Sequence, residues 1–506
     1  MHKTLRSPRL AAGVFSLAVG LGALVSSPGE AHAGGFEVGE NTTQAVARGG
    51  TGVVMKRDPS AMYFNPALLP RARGYQLLVN ANLVNLDLDF QRDPLIYNRG
   101  NRTVQTDFEA VANQGGFFPA PFLTTSWDAG IENFALAAGV FGPSAYGSPC
   151  FGELTADGCQ PNGGAARNMI VDSNMIVVYF SLGAGYQFNN VWGGELSVGL
   201  TLMAAHLRSS FISTFEADPN AVPPWEEDPQ MDAVFRAEGL TGWAPTGILG
   251  LAYARDGFRL GASYRPPYHW EAKGKANIEL PVSFQDLGAA LSDDTLTFST
   301  WHAGSLRLGW GYEGGVHPGK PERARLELEA NLVWENWSLV ENFHVAIAGH
   351  LELHEFVDEE GNPAIVGVAD IYQAKNFQDT YSLRLGGGYA FLPWLSGHAG
   401  GFLETGAQPV AFTNVDFVSW ERYGAGLGAT LHLGSIDLDL AYMHIYSPSR
   451  RVSAGGVYNQ IPLSECTGPN YDHAACNGGT PPGNPQNNGS WSSSAQIASI
   501  GMTWQY

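Results

Sequence analysis

The sequence predicts an all-β protein: a transmembrane antiparallel β-barrel of about fourteen strands, with an N-terminal hatch, or plug, inside its lumen. Runs of alternating apolar and polar residues follow one another along most of the chain. The connections between these runs are alternately short and long, and the last residue is aromatic. A strand that crosses a membrane needs an apolar face toward lipid and a polar or small face toward the lumen, and these runs show that pattern.

The first 33 residues have the features of a secretory signal peptide. Three basic residues precede an apolar run at 11–25, which is shorter than the roughly 20 residues that a spanning helix needs. A small-residue cleavage site, AHA, follows at 31–33. We therefore expect residues 1–33 to be removed on export.

Residues 34–73 are predicted to form the hatch. This stretch is rich in glycine, alanine and short polar residues, and it has neither the alternation of a strand nor the 3.6-residue period of a long helix. Phe36 is a candidate apolar stopper, Asn65 is able to bond to freed backbone groups, and Pro66 fixes the bend. For Asn65-Pro66-Ala67, an ordinary turn cap is the alternative interpretation.

Residues 74–506 are predicted to form the barrel. The candidate strands lie near 74–90, 116–128, 132–142, 174–188, 194–210, 241–255, 258–270, 299–313, 323–341, 377–391, 394–406, 418–433, 435–447 and 492–506. Some connections are as short as Asp256-Gly257, whereas others are long, such as 211–240 and 271–298. Outer-membrane barrels have short turns on the periplasmic rim and long loops outside. The long loops are therefore predicted to face the cell exterior.

The four cysteines form two close pairs, each within a predicted long loop. Cys150 lies near Cys159, and Cys466 lies near Cys476. In an exported protein this spacing predicts two local disulfides, 150–159 and 466–476. The spacing of these cysteines does not suit zinc.

Charge and motif content argue against several classes of function. The formal net charge is -20, which repels nucleic acid, and there is no basic patch. The chain contains neither a GxSxG elbow nor an HExxH motif. The GAGLGA stretch at 424–429 lies within an alternating run, where a dinucleotide-binding loop would be followed by a helix. We therefore expect no enzyme activity, no catalytic residues, no metal, no cofactor and no nucleic-acid partner.

Several stretches carry a resemblance to a known family. They are GGF at 34–36, AVARGGTG at 45–52, DPSAMYFNPA from Asp58 to Ala67, VFGP at 140–143, RLGASYR at 259–265, WENWS at 334–338 and DTYSLRLG at 379–386. With these stretches the chain resembles the FadL/OmpP1/TodX family of outer-membrane transporters for hydrophobic compounds. The resemblance covers nearly all of the mature sequence, except the loops 143–173, 342–376 and 448–491.

The resemblance implies a passive channel closed by its N-terminal hatch. Long-chain fatty acids or other hydrophobic molecules would be captured by extracellular loops, pass to a pocket in the barrel and leave sideways into the membrane at a kinked third strand. On this chain the third strand ends in Gly139, Gly142 and Pro143, which become the implied lateral gate. The alternative is that Pro143 only begins the following loop.

The predicted loops 211–240 and 271–298 carry apolar residues that are candidates for ligand capture. These residues are Phe211, Phe215, Trp225, Phe235, Leu280, Phe284, Leu287 and Leu291. The last four recur at helical spacing, which predicts a helical stripe. Packing of the two loops against each other is the alternative.

The expected partners follow from the predicted location, the outer membrane of a Gram-negative bacterium. They are a hydrophobic, fatty-acid-like ligand, outer-membrane lipid including lipopolysaccharide, and the barrel assembly machinery, which would read the C-terminal strand ending in Tyr506. We expect a monomer. Two other functions stay open: a non-specific porin, and a surface adhesin or structural barrel in which the long loops are the active parts.

Overall fold

The described part of the chain covers the whole predicted barrel with a few gaps. The structure, a computed structural model, describes residues 37–38, 41–145, 148–217, 226–357, 361–366, 368, 370–458 and 483–506. The predicted signal peptide, Phe36, Trp225, Cys466 and Cys476 lie outside these residues.

Fourteen antiparallel strands form one closed barrel, as predicted. Four of them, β7 to β10, are each built from two segments. The strands are β1 Tyr75–Arg92, β2 Phe118–Trp127, β3 Phe134–Phe141, β4 Asp172–Val191, β5 Gly194–Glu216, β6 Asp232–Arg255, β7 Phe258–Arg265 with Tyr268–Glu279, β8 Thr295–His302 with Ser305–Gly314, β9 Leu326–Glu335 with Asn342–Ile347, β10 Ile371–Ala374 with Thr380–Leu392, β11 Leu395–Glu404, β12 Arg422–Leu433, β13 Ile436–Val452 and β14 Gly489–Gln505.

Each strand pairs with the next along the chain, and the last pairs with the first. Gln76 to Arg92 of β1 pair with Gln505 to Gly489 of β14. The closure ends at the two terminal residues of the barrel, where Tyr75 N–H donates to Tyr506 O (3.1 Å) and Tyr506 N–H donates to Tyr75 O (2.8 Å). No strand edge is therefore left unpaired at this seam, as a lipid environment requires.

The turns on the rim that carries the C-terminus are short, as predicted, except the longer connection between β8 and β9. Asp256 and Gly257 join β6 to β7 with φ values of 52° and 83°. Two consecutive residues at positive φ match the right-handed twist of the flanking strands, and aspartate followed by glycine adopts this turn readily.

The strand faces alternate between buried and exposed residues. On β4, Tyr179 and Ser181 are buried, whereas Phe180 and Leu182 are 44% and 67% exposed. The buried face points into the barrel and the exposed face carries large apolar residues, as lipid contact requires. Among the described residues, no helix combines the length and apolarity needed to cross a membrane.

Two long loops of the sequence prediction are largely strand. β5 continues to Glu216 and β6 begins at Asp232, and these extensions pair with each other, so Phe211, Phe215 and Phe235 lie on strands and the predicted loop 211–240 is wrong. The extra length arises because alternation of apolar and polar residues continues beyond the part of the strands that the bilayer covers.

The predicted loop 271–298 is also mostly strand. Its ends belong to the outer segments of β7 and β8. The predicted helical stripe from Leu280 to Leu291 is wrong, because a 3-10 helix covers only Val282–Leu287 and Leu291 ends a short strand, Ala289–Leu291. The left-handed Gly288, with φ 63°, ends the helix between them.

The remaining regular structure is short. Two α-helices, α1 Thr43–Ala47 and α2 Ala61–Phe64, precede the barrel, together with a 3-10 helix, Pro66–Arg71. Other 3-10 helices are Pro229–Met231, Trp337–Leu339 and Val410–Phe412. Short strands outside the barrel ring are Glu37–Val38, Leu95–Arg99, Arg102–Thr106, Ser144–Ala145, Glu153–Thr155, Gly158–Gln160, Leu351–Val357 and Pro363–Val366, while Val111–Ala112 pairs with β1.

The predicted disulfide Cys150–Cys159 is present, with the Cα atoms 5.8 Å apart. It spans the hairpin of Glu153–Thr155 and Gly158–Gln160. This hairpin lies in the connection between β3 and β4, one of the long loops on the rim opposite the C-terminus.

Candidate functional site

The N-terminal segment, residues 41–72, is almost entirely buried. Asn65 organises its second half: Oδ1 accepts a hydrogen bond from Ala67 N–H (3.1 Å), and Nδ2 donates to the carbonyl oxygens of Val53 (2.9 Å) and Leu251 (3.1 Å). Leu251 belongs to β6, so one side chain caps a helix, fixes the segment's fold and attaches it to the barrel wall. Asp58 caps its own turn by accepting from Ser60 N–H (2.8 Å).

Glycines allow the segment to approach opposite walls closely. A Cβ added to Gly49, at φ 65°, would lie 2.3 Å from the backbone nitrogen of Gly401 on β11. A Cβ added to Gly199 on β5 would lie 2.2 Å from the carbonyl carbon of Pro66. These contacts leave no room for a side chain at either position.

Hydrogen bonds from the segment reach strands around the ring. Thr43 N–H donates to Asn80 Oδ1 on β1 (2.6 Å), and Val54 N–H donates to Glu329 Oε1 on β9 (2.9 Å). On β7, Ser263 Oγ donates to Phe64 O (2.7 Å). The segment thus has partners on several sides of the barrel.

Ion pairs tie the same segment to β8 and β9 near their periplasmic ends. Glu313 accepts hydrogen bonds from Arg57 (2.5 Å) and Arg71 of the segment and from Arg259 of β7. Glu327 accepts from Arg48 (2.7 Å). Two wall carboxylates therefore hold three arginines of the segment in place.

An apolar pocket of about 100 Å³ lies in the half of the barrel that carries the long loops. Its lining is dominated by phenylalanine and aliphatic side chains from β4, β5, β6, β8, β9, β10 and three loops. We call it the loop pocket; its lining residues are Asn168, Met169, Ile170, Ser173, Met175, Ser209, Phe211, Ser213, Phe215, Phe235, Phe298, Phe343, Val345, Ile371, Tyr372, Gln373, Ala374, Asn414, Phe417, Gly456, Val457 and Tyr458.

Six phenylalanine rings of the loop pocket form a continuous series. In order they are Phe215, Phe235, Phe211, Phe298, Phe343 and Phe417, and successive ring centroids are 6.1, 5.9, 6.4, 5.6 and 5.4 Å apart. Such spacing is that of aromatic contact. The series runs from the extended ends of β5 and β6 to the connection between β11 and β12.

A second apolar cavity, of about 240 Å³, lies at the barrel wall beside β3. We call it the wall cavity; its lining residues are Leu86, Phe118, Pro119, Ala120, Pro121, Val140, Phe141, Gly142, Pro143, Pro149, Ser173, Met175, Ile176, Val177, Val178, Asp416, Phe417 and Val418. The buried Phe141 and Val177 face the lumen, whereas Val140 and Ile176 are about two-fifths exposed on the outer face, at 41% and 39%. The cavity therefore has apolar lining on both faces of the wall.

The wall cavity exists because β3 is short. Phe141 is the last residue of β3 and pairs with Phe122 of β2 and Tyr179 of β4. Beyond it β2 and β4 continue, and no described residue pairs between them as a further part of β3. Gly142 follows at the ladder's end, where an added Cβ would lie 2.6 Å from Val177 O, and Pro143 has no N–H to continue the ladder.

The loop with the disulfide borders the wall cavity on the extracellular side. The backbone of Cys150 pairs with that of Asp172 of β4 in an isolated antiparallel β-bridge. Cys150 N–H also donates to Asn113 Oδ1 (3.0 Å), in the segment that precedes β2. Gln114 N–H donates to Cys150 O (2.8 Å). One short stretch around Cys150 therefore connects the two strands that flank the cavity.

A buried ion-pair cluster holds Glu227, in the connection between β5 and β6, against the barrel mouth. Glu227 accepts from Arg92 at 2.6 and 2.8 Å, from Arg167 at 3.2 Å and from Gln486 Nε2 at 3.0 Å. Arg167 also donates to Asp232 (2.6 Å). Burial would raise the pKa of Glu227, but the hydrogen bond and charge of Arg92, with the charge of Arg167, lower it to about 2.

The sequence matches the family model of outer membrane transport proteins OMPP1/FadL/TodX over residues 23–466. This chain belongs to the OMPP1/FadL/TodX family. Members of this family are transport channels of the Gram-negative outer membrane, not enzymes, and this family member is accordingly a transport protein of that membrane. None of the curated protein sequences searched matches the chain.

Solved structures of several OMPP1/FadL/TodX proteins have the same fold. A FadL homologue of Pseudomonas aeruginosa is 17% identical with a TM-score of 0.66, covering 93% of this chain and 100% of that chain. The toluene transporter TodX of Pseudomonas putida is 15% identical with a TM-score of 0.55, covering 93% and 99%. The toluene transporter TbuX of Ralstonia pickettii is 14% identical with a TM-score of 0.54, covering 92% and 98%.

The structure assembles part of the predicted site of this family member. Phe211, Phe215 and Phe235 line the loop pocket together, and the partly buried Leu291 packs against the same core. Leu280 and Phe284 line neither cavity, and the side chain of Leu287 is not among those described. Gly142 and Pro143 line the wall cavity, whereas Gly139 lies on β3 against Thr124 and Met62.

Three rings of the phenylalanine series are absent from the site that the sequence predicts, namely Phe298, Phe343 and Phe417. Phe343 stands in an alternating run, NFHVAI, which is the outer segment of β9 and carries a period-two signal. Phe298 was assigned to a loop, although Leu296, Phe298 and Thr300 alternate in the same way. Phe417 has no periodic signal, because it lies in an irregular connection.

Proposed function

We propose that this protein is a passive channel in which a hydrophobic molecule enters the loop pocket, passes to the wall cavity and leaves sideways into the outer membrane. The wall cavity is the observation that carries the proposal, since its apolar lining joins Phe141 and Val177 on the inner face to Val140 and Ile176 on the outer face. An apolar molecule on this path avoids water, and exposure to water would cost roughly 25 cal/mol per Å² of its apolar surface. Gly139, Gly142 and Pro143 then form the lateral gate.

The N-terminal segment is proposed to be the hatch. Its hydrogen bonds and close contacts with β1, β5, β6, β7, β9 and β11 support a plug that closes the lumen toward the periplasm. A lumen that is closed toward the periplasm favours sideways exit, because the wall cavity is then the apolar way out for the ligand. Ligand binding is expected to shift the hatch from one conformation to another only if the ligand binds more tightly to the second conformation.

The lining of the two cavities favours an uncharged ligand. The described lining of the loop pocket includes no Lys, Arg, Asp or Glu side chain, and that of the wall cavity includes only Asp416. Asp416 is already paired with Lys375. An ionised fatty acid would have to bring its carboxylate beside that aspartate, whereas a neutral hydrocarbon needs no counter-ion. Among long-chain fatty acids and other hydrophobic molecules, we therefore propose neutral apolar molecules as the preferred class.

Filling the wall cavity tests the proposal. Val177→Trp places a large ring in the cavity, whereas Leu182→Trp changes the lipid-facing side of the same strand and serves as the control. Uptake of radiolabelled toluene by cells that make the full chain is expected to fall close to background for Val177→Trp and to stay unchanged for Leu182→Trp. Full uptake by folded Val177→Trp protein would refute sideways exit through this cavity.

Two deletions separate the proposal from the alternative functions. The first deletion removes residues 34–70 of this chain. If the protein is a non-specific porin, its small-ion conductance should stay unchanged. If residues 34–70 form a hatch, the conductance should rise. Removal of loop 448–491 would abolish the function of an adhesin but leave hydrophobic uptake by a channel largely intact.

A further inference from the structure

Phe417 stands between the loop pocket and the wall cavity. Three residues line both spaces, namely Ser173, Met175 and Phe417. Ser173 and Met175 belong to β4 and pair with β5 in the barrel ladder. Phe417 is the one member of the three that lies outside a strand, in the connection between β11 and β12. It is therefore the part of this partition that is able to move without breaking the barrel.

The ring of Phe417 also ends the phenylalanine series. It meets Phe343 edge-on, with the ring planes at 90° and the centroids 5.4 Å apart. Its side chain is partly exposed, whereas the neighbouring Asp416 and Val418 are buried. A ligand that follows the series reaches Phe417 last before the wall cavity.

A buried ion pair fixes the backbone beneath this ring. The side chains of Lys375 and Asp416 are both 0% exposed, and the ammonium donates to Asp416 Oδ2. Asp416 Oδ1 accepts from the backbone N–H of Phe417 (2.8 Å). Lys375 N–H in turn donates to Glu341 O (2.8 Å), between the two segments of β9.

The ion pair thus links the backbone of Phe417 to the stretch between the two segments of β9. The Lys375 ammonium lies 4.6 Å from the centroid of Phe343, the ring that Phe417 contacts. Burying an ion pair carries a desolvation cost that two apolar residues would not, so its stabilising value alone is a weak explanation for its presence. Its geometry, in contrast, sets the position of one backbone amide at the partition.

We propose that Phe417 is the selectivity barrier between the two cavities, and that Lys375 and Asp416 are positioning residues that hold it there. The inference rests on the proposed function and adds the step that discriminates among ligands. Rotation of one phenyl ring opens a passage suited to a single aromatic ring or an unbranched chain. Fused-ring molecules with a larger cross-section are held back in the loop pocket.

Uptake of toluene and naphthalene by cells that make the full chain tests the barrier. Phe417→Ala is expected to raise the naphthalene-to-toluene uptake ratio about two- to tenfold, the rate equivalent of losing one aromatic contact. Phe417→Trp is expected to lower the ratio. Phe412→Ala, which changes a partly buried phenylalanine in the same connection that lines neither cavity, is the matched control and should leave the ratio unchanged.

The positioning role has its own variant. Lys375→Met combined with Asp416→Leu removes both charges, so that neither is left buried alone, and is expected to shift the ratio in the direction of Phe417→Ala. An unchanged ratio in this double variant overturns the role of the ion pair, and an unchanged ratio in both Phe417 variants overturns the barrier. If wild-type cells take up neither compound faster than cells without the protein, the proposed function fails instead.

Discussion

The ring of Tyr63 meets the ring of Phe141 edge-on, with the centroids 5.6 Å apart and the ring planes at 83°. Tyr63 belongs to the N-terminal segment, and Phe141 is the last residue of β3 at the base of the wall cavity. Phe141 also stacks on Phe122 of β2 at 4.5 Å. The proposed hatch and the proposed lateral gate are therefore in direct contact, and a shift in one changes the packing of the other.

Truncation of Tyr63 is expected to destabilise this contact. Tyr63→Ala should lower the free energy of unfolding by about 3 kcal/mol, since it removes a buried ring and leaves a cavity. Tyr63→Phe keeps the ring and is the control, with a loss of no more than about 1 kcal/mol. Thermal unfolding in detergent, followed by gel mobility, measures both, and equal stability of the two variants would contradict the packing role.

Glu313 is predicted to hold the N-terminal segment in the barrel. Glu313→Gln removes the charge shared by Arg57, Arg71 and Arg259, which weakens the attachment by about 2 kcal/mol. In planar bilayers the variant should show more frequent ion-conducting events than the wild type. Glu322→Gln, at an exposed position in the neighbouring turn, is the control, and equal conductance of the two variants would argue against an ion-pair attachment.

The strands of the membrane-spanning region were predictable because each has a local signal. Alternation with period two marks a strand with one lipid-facing side, and Asp256-Gly257 marks a tight turn. Asn65 was likewise recognised as a residue that bonds to backbone groups, and it does so to Val53 and Leu251. The alternation and the turn depend on neighbours in the sequence, whereas the bond from Asn65 to Leu251 reaches a distant strand.

The attachment of the N-terminal segment and the apolar path through the two cavities were less predictable, because both depend on contacts between residues far apart in the sequence. The partners of Arg57 and Arg71 stand more than 240 residues further along the chain, so no spacing in the sequence marks them. Phe417 lies in an irregular connection, and its position depends on Lys375 through Asp416. The sequence predicts loops at the outer parts of β5 and β6 because proline and acidic residues interrupt the alternation between them.

The Cys150–Cys159 disulfide is expected to stabilise the outer border of the wall cavity. Its removal in Cys150→Ser/Cys159→Ser should destabilise the hairpin by about 3 kcal/mol, from the loop-closure entropy of a ring of this size. Limited proteolysis of intact cells should then cut within residues 150–160 faster than in the wild type. Cys466→Ser/Cys476→Ser is the control and should not change this cleavage, and equal rates in all three proteins would mean that the bond does not protect the border.

Acid is expected to weaken the buried cluster around Glu227. Its pKa falls from 4.5 to about 2 in the folded protein, where burial opposes the shift and the hydrogen bond and charge of Arg92 drive it. A carboxyl group with a lowered folded pKa stabilises the fold fully above its unfolded value and loses that contribution as the pH falls toward the folded value. The window is therefore about pH 4.5 down to about pH 2, and the stabilisation lost is roughly 3 kcal/mol.

The difference between wild type and Glu227→Gln isolates this contribution, because the other carboxyl groups titrate in both proteins. At pH 7 the variant should melt at a lower temperature, since Arg92 and Arg167 keep their charges without a buried anion between them. As the pH falls from about 4.5 to about 2, the two melting temperatures should converge. A difference that stays constant across this window would mean that Glu227 does not hold the loop as a charged group.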